Sequence, residues 1–258
     1  MHAFLTSSPC LFDDSGRPLA CLNEANGFVQ ALAAVLPDHA QVLLIASDPD
    51  CPPMTLGMAT DLHTAFAAAG LKCAPFETLD GRNGAEAAEL VKQADCIILA
   101  GGHVPTQNAF FARIGLREAL KSFDGVLIGI SAGTMNAAET VYAMPEEPGE
   151  ACDANYERWL EGLGLTKTIV VPHWQRICNG SLDGLRNFED IAAVDSAEHA
   201  LTLLTDGSYL EIDEAGIERI RGEAWVLADG VLSPLQRHMC EVSAEAQARK
   251  HRELRDEL

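Results

Sequence analysis

The stretch GVLIGISAGTMNAAE, Gly125 to Glu139, runs from an unbroken apolar segment into a serine that lies between glycines. The segment 125–130 predicts a strand buried on both faces, and a helix is predicted to open at Ser131. The pattern G-x-S-x-G, with Gly129 and Gly133 on either side, is typical of a nucleophile on a sharp strand-to-helix turn. The alternative interpretation is that Ser131 only caps the helix, because serine is a favoured N-cap residue.

Short β-rich runs alternate with helical runs around this stretch. Further strands are predicted at 41–47, 72–79, 95–100 and 168–172, and helices at 53–70, 84–94 and 108–123. This alternation predicts an α/β fold with a mostly parallel sheet flanked by helices on both faces, in one domain over residues 1–258.

Two later segments each carry an Asp-Gly pair between alternating runs, LTLLTDGSYLEID (201–213) and GEAWVLADGVLSPL (222–235). Asp-Gly between two such runs predicts a tight β-hairpin, so both segments are predicted to be hairpins in a C-terminal extension. The last residues, 243–258, are strongly charged and predict a helix.

Composition excludes several classes of function. The formal net charge of −20 argues against nucleic acid as a partner and against an acidic membrane surface, because phosphate binding needs a concentrated basic surface. The eight cysteines are scattered without a C-x-x-C pair, and the start of the chain lacks the features of a signal peptide. We therefore expect a cytoplasmic protein with reduced thiols, without a metal or another cofactor.

A second polar segment follows the predicted strand at 95–100. In LAGGHVPTQN (99–108), two glycines expose backbone amides just before a helix. The carboxyl ends of strands are where open α/β sheets place their ligands. Gly102 is therefore the candidate donor for the second half of an oxyanion hole, and His103 or Gln107 is a candidate for contact with substrate. The simpler interpretation is a plain strand-to-helix turn.

A general base and its partner can be sought in the same way. His173 follows the strand at 168–172, where its imidazole could reach the serine on a neighbouring strand. The acidic pair Glu146 and Glu147 lies between serine and histidine in the chain and could orient His173. Lone histidines are more often structural, and surface loops are rich in glutamate, so only the combination predicts a catalytic site.

Taken together, GGHVPTQN, GISAG followed by VYAMPE, and VPHW resemble the serine peptidase family S51 of peptidase E and cyanophycinase. The resemblance extends from LTSSPC, near the start of the chain, to VPHW. It implies the class I glutamine amidotransferase-like (flavodoxin-like) fold and a serine-type peptidase. Those amidotransferases have cysteine where this chain has Ser131, so the resemblance disfavours glutamine-derived ammonia transfer.

The resemblance also implies roles for individual residues. The nucleophile falls on Ser131, the base on His173, and the oxyanion amides on Gly102 and Ala132. The third triad member is predicted to be Glu146, with Glu147 as its alternate and Asp153 as a more distant choice. The expected substrate is a small peptide, cleaved near an aspartate as dipeptidases of this family do. Candidates for its recognition are His103, Gln107, Asn108 and Arg176, and a homodimer is left open.

Two other functions remain open from the sequence. An α/β-hydrolase-type esterase shares G-x-S-x-G and would use a later histidine, His238, with Asp206 or Asp213. A non-catalytic member of the same fold would bind a small ligand at the same turn, because one fold serves many functions.

Overall fold

The computed structural model describes residues 1–235 as a succession of short strands and helices. The strands are β1 (His2–Thr6), β2 (Cys10–Phe12), β3 (Pro18–Leu22), β4 (Val42–Ile45), β5 (Glu77–Leu79), β6 (Cys96–Leu99), β7 (Val126–Ile130), β8 (Thr140–Tyr142), β9 (Trp159–Glu161), β10 (Val170–Val171), β11 (Ser181–Leu182), β12 (Leu185–Arg186), β13 (Leu201–Leu204), β14 (Tyr209–Ile212), β15 (Glu218–Arg221), β16 (Ala224–Ala228) and β17 (Val231–Leu235). The α-helices are α1 (Phe28–Val35), α2 (Pro52–Ala68), α3 (Ala87–Gln93), α4 (Val104–Arg113), α5 (Leu116–Ala119), α6 (Ala132–Asn136), α7 (Trp174–Ile177) and α8 (Ala193–Asp195). The predicted helix at 243–258 lies outside the described residues.

The largest sheet has seven strands in the order β15-β14-β1-β7-β6-β4-β5. Five neighbouring strands of this sheet run parallel to one another, namely β1, β7, β6, β4 and β5. Strands β14 and β15 add an antiparallel edge next to β1. The prediction of a mostly parallel α/β sheet is confirmed. Strand β7, which leads into Ser131, lies near the middle of the sheet, between β1 and β6.

Helices cover both faces of this sheet, as predicted. Along β4, Leu43 and Ile45 pack with residues of α3, α4 and α5, whereas Val42 and Leu44 pack with residues of α1 and α2. All four side chains are almost completely buried. Successive side chains of a strand point to opposite faces, so a strand covered on both sides must be apolar throughout.

A second sheet of four strands, in the order β10-β13-β16-β17, carries its own apolar cluster around Trp174 and Leu203. The predicted hairpin at 222–235 is confirmed, because Ala228 pairs with Val231 across a two-residue turn. Both turn residues, Asp229 and Gly230, have positive φ, as a type I′ turn requires.

The other predicted hairpin, at 201–213, is wrong. Its first run is β13, in the four-stranded sheet, and its second run is β14, in the seven-stranded sheet. The Asp206-Gly207 pair therefore joins two sheets instead of reversing the chain between paired strands. Each run is apolar enough to be buried in a different sheet, and local turn chemistry cannot distinguish that crossing from a hairpin.

Among residues 1–235, no helix combines the length and the apolar composition that a membrane crossing requires.

Candidate active site

The nucleophile candidate Ser131 lies on a strained turn between β7 and α6. Its backbone has φ 50° and ψ −109°, a conformation that costs a non-glycine residue on the order of 1–3 kcal/mol. Its amide donates to the carbonyl oxygen of Thr6 at 3.2 Å. Its side chain makes no capping hydrogen bond, so the interpretation of Ser131 as a simple helix cap is wrong.

The two glycines around the serine allow close packing of the turn. A Cβ atom on Gly129 would lie 2.8 Å from the Thr134 hydroxyl oxygen, and one on Gly133 would lie 2.3 Å from the Leu99 carbonyl oxygen. Real Cβ atoms do not approach other atoms so closely. Glycine at both positions therefore lets α6 start directly against β6 and β7.

The Gly101-Gly102 turn lies beside Ser131. A Cβ atom on Gly101 would be 3.4 Å from the Ser131 Cβ. No group among residues 1–235 accepts a hydrogen bond from the amide of Gly102 or from that of Ala132, the first residue of α6. Within the described residues, both amides predicted to be oxyanion donors are therefore without a protein acceptor.

His173 lies directly against Ser131, and its Nε2 is 3.0 Å from the serine Oγ. The histidine follows β10 after Pro172 and has φ 57° and ψ 37°, the left-handed region that residues with a side chain seldom adopt. Its other ring nitrogen, Nδ1, is 2.6 Å from Oδ1 of Asp206. With the proton on Nδ1, the ring donates to Asp206, and Nε2 is free to accept the serine proton.

Asp206, and not Glu146, is the carboxylate that contacts His173. Strand β13 runs parallel to β10, with Leu203 paired to Val171, so the residues that follow the two strands meet at one edge of the sheet. The Asp206 carboxylate also accepts hydrogen bonds from Ser7 Oγ at 2.8 Å and from the side-chain amide of Gln175. The predicted role of Glu146 is thereby corrected.

The environment keeps Asp206 ionised. Burial acts to raise the pKa of its carboxyl, but the hydrogen bond and charge of His173, the hydrogen bond from Ser7 and the charge of Arg176 outweigh it and hold the pKa below its usual range. A permanently charged partner is what an imidazole needs if it is to become positive during a reaction.

The backbone of the acidic pair predicted to orient His173 is held by a third glutamate. One carboxylate oxygen of Glu150 accepts hydrogen bonds from the backbone amides of Glu146 and Glu147, each at 2.9 Å. The other oxygen is 2.9 Å from Nε2 of His103. Desolvation by surrounding protein, with repulsion from Glu150 and Glu147, raises the pKa of Glu146 to about 7. Glu150 thus ties the loop after β8 to the Gly-Gly-His turn.

Two of the four predicted recognition residues are held in a polar network. Gln107 is completely buried, donates to the Ala100 carbonyl oxygen at 2.7 Å and accepts from Asn136 at 3.1 Å. The predicted contact of Gln107 with substrate is therefore wrong, and its role is to fix α4 under the Gly-Gly-His turn. Asn108 donates to the Asn136 side chain and to the Glu161 carbonyl oxygen.

The other two recognition candidates lie beside the Gly-Gly turn and beside Asp206. His103 bonds Thr106 and Glu150, as a half-exposed residue directly after Gly102. The Arg176 guanidinium lies over the ring of Phe12, with Cζ 4.7 Å from the ring centroid, and that ring meets the His173 ring edge-on at 6.4 Å. Arg176 is exposed and places a positive charge close to the histidine and Asp206.

One group in the described part of the chain has the composition of a metal site. Ligand atoms of His103, Glu147 and Glu150 lie within 4.8 Å of one another. However, Glu150 already binds His103 through one oxygen and two backbone amides through the other. These bonds explain the cluster without an ion.

We expect Gly102→Ala to slow the reaction of Ser131 with a fluorophosphonate probe by about 100-fold, the typical cost of an oxyanion donor. The added Cβ would lie 2.6 Å from Ser47 Cβ and 2.4 Å from its Oγ, which must displace the turn. In the double variant Ser47→Gly/Gly102→Ala, the added Cβ would have the Cα of residue 47 as its neighbour, at 3.9 Å. This variant should therefore recover most of the rate. Labelling rates of both variants, with Ser47→Gly alone as the control, check this. An unchanged rate in Gly102→Ala would show that the turn accommodates the added Cβ without moving the amide, which contradicts the prediction.

Comparison with known proteins adds a family to this geometry. The model of peptidase family S51 matches residues 57–220, which include the serine, the histidine, the aspartate and the Gly-Gly turn. The comparison with curated protein sequences gave no match.

Solved structures share the fold. A peptidase from an acI-B1 Actinobacterium superposes with a TM-score of 0.64 and 16% identity, covering 93% of this chain and 96% of that one. A protein named "Putative Peptidase E Protein" from Listeria monocytogenes EGD-e superposes with a TM-score of 0.56 and 14% identity, covering 91% of this chain and 98% of that one. At such identities the likeness shows the fold.

Proposed function

Because the chain belongs to peptidase family S51 and is a serine-type peptidase, we propose that it hydrolyses small peptides through an acyl-enzyme on Ser131. The observation that carries this proposal is the continuous contact from Ser131 Oγ through the His173 ring to the Asp206 carboxylate, at 3.0 and 2.6 Å. Nucleophile, base and orienting carboxylate in this geometry are the groups that acyl transfer requires.

In the first half of the reaction, Nε2 of His173 takes the proton from Ser131 as its Oγ attacks the peptide carbonyl carbon. Asp206 accepts from Nδ1 and stabilises the positive imidazolium that forms. The free amides of Gly102 and Ala132 donate to the carbonyl oxygen as it becomes negative. The imidazolium then protonates the leaving amine, and the peptide bond breaks.

In the second half, water replaces the leaving amine. Nε2 of His173 removes a proton from the water, the resulting hydroxide attacks the ester carbon, and the imidazolium returns a proton to Ser131 Oγ. The same amides hold the oxyanion again. This order makes one histidine both base and acid in each half of the cycle.

For the substrate, we propose dipeptides or other small peptides with a carboxylate near the cleaved bond. Arg176 supports this proposal, because it places an exposed cation beside the triad of a chain whose formal net charge is −20. A negative substrate group is attracted there and repelled by most of the remaining surface.

The esterase alternative is less well supported. Its histidine, His238, lies outside the described residues, whereas His173 already contacts Ser131. Of its two candidate carboxylates, Asp213 binds Arg219 at 2.7 Å and Asp206 binds His173. A purely ligand-binding function would leave the strained serine and the complete proton path unexplained.

A panel of dipeptides with different first residues, including Asp-Xaa and β-Asp-Arg, tests the substrate proposal. We expect hydrolysis with a preference for substrates that carry a carboxylate near the bond. In Arg176→Gln, kcat/KM for those substrates should fall by about 10-fold, the equivalent of roughly 1.4 kcal/mol, and that for neutral dipeptides should stay unchanged. Arg113→Gln is the matched control, since Arg113 also stacks on a phenylalanine, Phe110, with Cζ 5.3 Å from the ring centroid. An equal loss on neutral and acidic substrates would reject Arg176 as the recognition residue.

A further inference from the structure

Beyond the three groups of the proposed reaction, the buried side chain of Ser7 contacts the triad from the end of β1. Ser7 is completely inaccessible to solvent and directly follows Thr6, the last residue of that strand. Its amide donates to the Ser208 carbonyl oxygen at 3.1 Å. This bond fixes Ser7 against the segment that follows Asp206. The region matched by the family model begins later, at residue 57.

The Ser7 hydroxyl makes two bonds at once. It donates to Oδ1 of Asp206 at 2.8 Å and accepts the backbone amide of His173 at 2.8 Å. A hydroxyl has one proton and two lone pairs, so both bonds are compatible. The oxygen that receives the Ser7 proton is the same Oδ1 that lies 2.6 Å from His173 Nδ1. Ser7, Asp206 and His173 thus form a closed ring of hydrogen bonds.

This ring restrains the histidine through both its main chain and its side chain. His173 has a left-handed backbone, which is unfavourable for a residue with a Cβ atom. The bond from its amide to Ser7 helps to hold that conformation, and the Ser7 proton fixes the carboxylate oxygen that orients the ring.

The neighbouring residue performs the matching task for the nucleophile. The Thr6 carbonyl oxygen accepts the amide of Ser131 at 3.2 Å, and Thr6 pairs with Ile130 where β1 and β7 end. Thr6, the last residue of β1, and Ser7, which follows it, therefore contact all three members of the triad. Because β1 and β7 are adjacent central strands, this arrangement sets the positions of His173 and Asp206 relative to the serine.

On the basis of the proposed function, we propose that Ser7 is a positioning residue of the triad, whose hydroxyl aligns His173 and Asp206 for proton transfer from Ser131. It touches neither the substrate nor the serine oxygen, so it acts on the reaction only through its two partners. A displacement of a catalytic group by about 1 Å can cost on the order of 100-fold in rate.

The test compares Ser7→Ala with Ser8→Ala in the full chain. Ser8 is also buried, but its hydroxyl donates to the Cys10 carbonyl oxygen and not to a member of the triad. In Ser7→Ala we expect a fluorophosphonate probe to react with the nucleophile about 10- to 100-fold more slowly, with an unchanged KI for the reversible step. The far-downfield proton resonance of His173 Nδ1–H should weaken or shift. Ser8→Ala should match the wild type in both measurements.

Ser7→Cys gives a graded version of the same test. It keeps a donor at the same position, but the larger sulfur donates a weaker hydrogen bond, so its labelling rate should fall between those of the wild type and Ser7→Ala. Circular dichroism and thermal unfolding identify variants that fail to fold, and Ser7→Cys decides the question if Ser7→Ala is one of them. A wild-type labelling rate in a folded Ser7 variant would overturn the proposal. So would the failure of both variants to fold, because Ser7 would then serve the stability of the fold.

The wild type separates this proposal from the proposed function. If the probe does not label the wild-type protein at Ser131, the acyl-enzyme mechanism fails. If it labels the wild type and both Ser7 variants at the same rate, only the role of Ser7 fails.

Discussion

Ser131→Ala is expected to lower the rate of peptide hydrolysis by roughly 10⁶-fold, the loss typical of a serine peptidase without its nucleophile. No other group can form the acyl-enzyme from the position of Oγ, which lies 3.0 Å from His173 Nε2. Residual hydrolysis would come from the oxyanion donors and substrate positioning alone. The measurement is kcat/KM on the most rapidly cleaved dipeptide, together with fluorophosphonate labelling.

The protein should remain folded in this experiment. Ser131 makes no side-chain capping bond, so alanine removes only the contact to His173 and leaves the turn's backbone bond to Thr6. Ser181→Ala, which changes an exposed serine on β11, is the control and should keep full activity. Equal hydrolysis by wild type and Ser131→Ala would move the chemistry away from this turn and reject the proposed mechanism.

Asp206→Asn is expected to lower kcat by about 10⁴-fold, with a much smaller change in KM. An amide that donates to Nδ1 favours the tautomer with its proton on Nε2, and such a ring cannot accept the Ser131 proton. The neutral side chain also fails to stabilise the imidazolium. Because the pKa of Asp206 is held below its usual range, the defect should persist from neutral pH down to about pH 5.

Glu146→Gln is the matched control, because it also replaces a carboxyl group by an amide, at a chain position predicted to serve the triad. Glu146 does not bond His173, because Nδ1 of His173 bonds Asp206 instead. We expect its kcat to remain within about threefold of the wild type, as is usual for a change away from the reacting groups. A large loss in Glu146→Gln with an active Asp206→Asn would restore the glutamate as third member.

Much of the site can be predicted from short stretches of sequence. The G-x-S-x-G pattern predicts a sharp turn because only glycine avoids the contacts of 2.8 and 2.3 Å that a Cβ would make at Gly129 and Gly133. The Gly-Gly-His segment is recognisable for a similar reason. His173 can be predicted because it follows an apolar strand, and ligand-binding groups lie at the carboxyl ends of strands in this type of sheet.

The choice of carboxylate illustrates where such reasoning fails. Glu146 is nearer to Ser131 in the chain and lies between the serine and the histidine, which favours it on sequence order. Asp206 lies in a Thr-Asp-Gly segment that has the composition of a hairpin turn. Its position next to His173 depends on the pairing of β13 with β10, in a different sheet from β14.

Gln107 and Ser7 show the same limit for polar residues. Gln107 stands in a motif of polar residues next to the site, yet its side chain is buried and bonds the Ala100 carbonyl oxygen. Ser7 lies in the LTSSPC segment, to which the sequence assigned no role in the site, yet it bonds two members of the triad. Sequence position gives the element on which a side chain lies, but not its direction or its partners.

The sequence by itself determined the parallel α/β sheet and the sharp turn at Ser131, and it predicted the histidine and the glycine that we propose for the reaction. Each depends on backbone conformation or periodicity within a few neighbouring residues. Only the tertiary structure decided that Asp206 orients the histidine and that Ser7 holds both. Those contacts join residues from strands that are distant in the chain, and strand order in a sheet is set by the burial of whole faces, which no local pattern records.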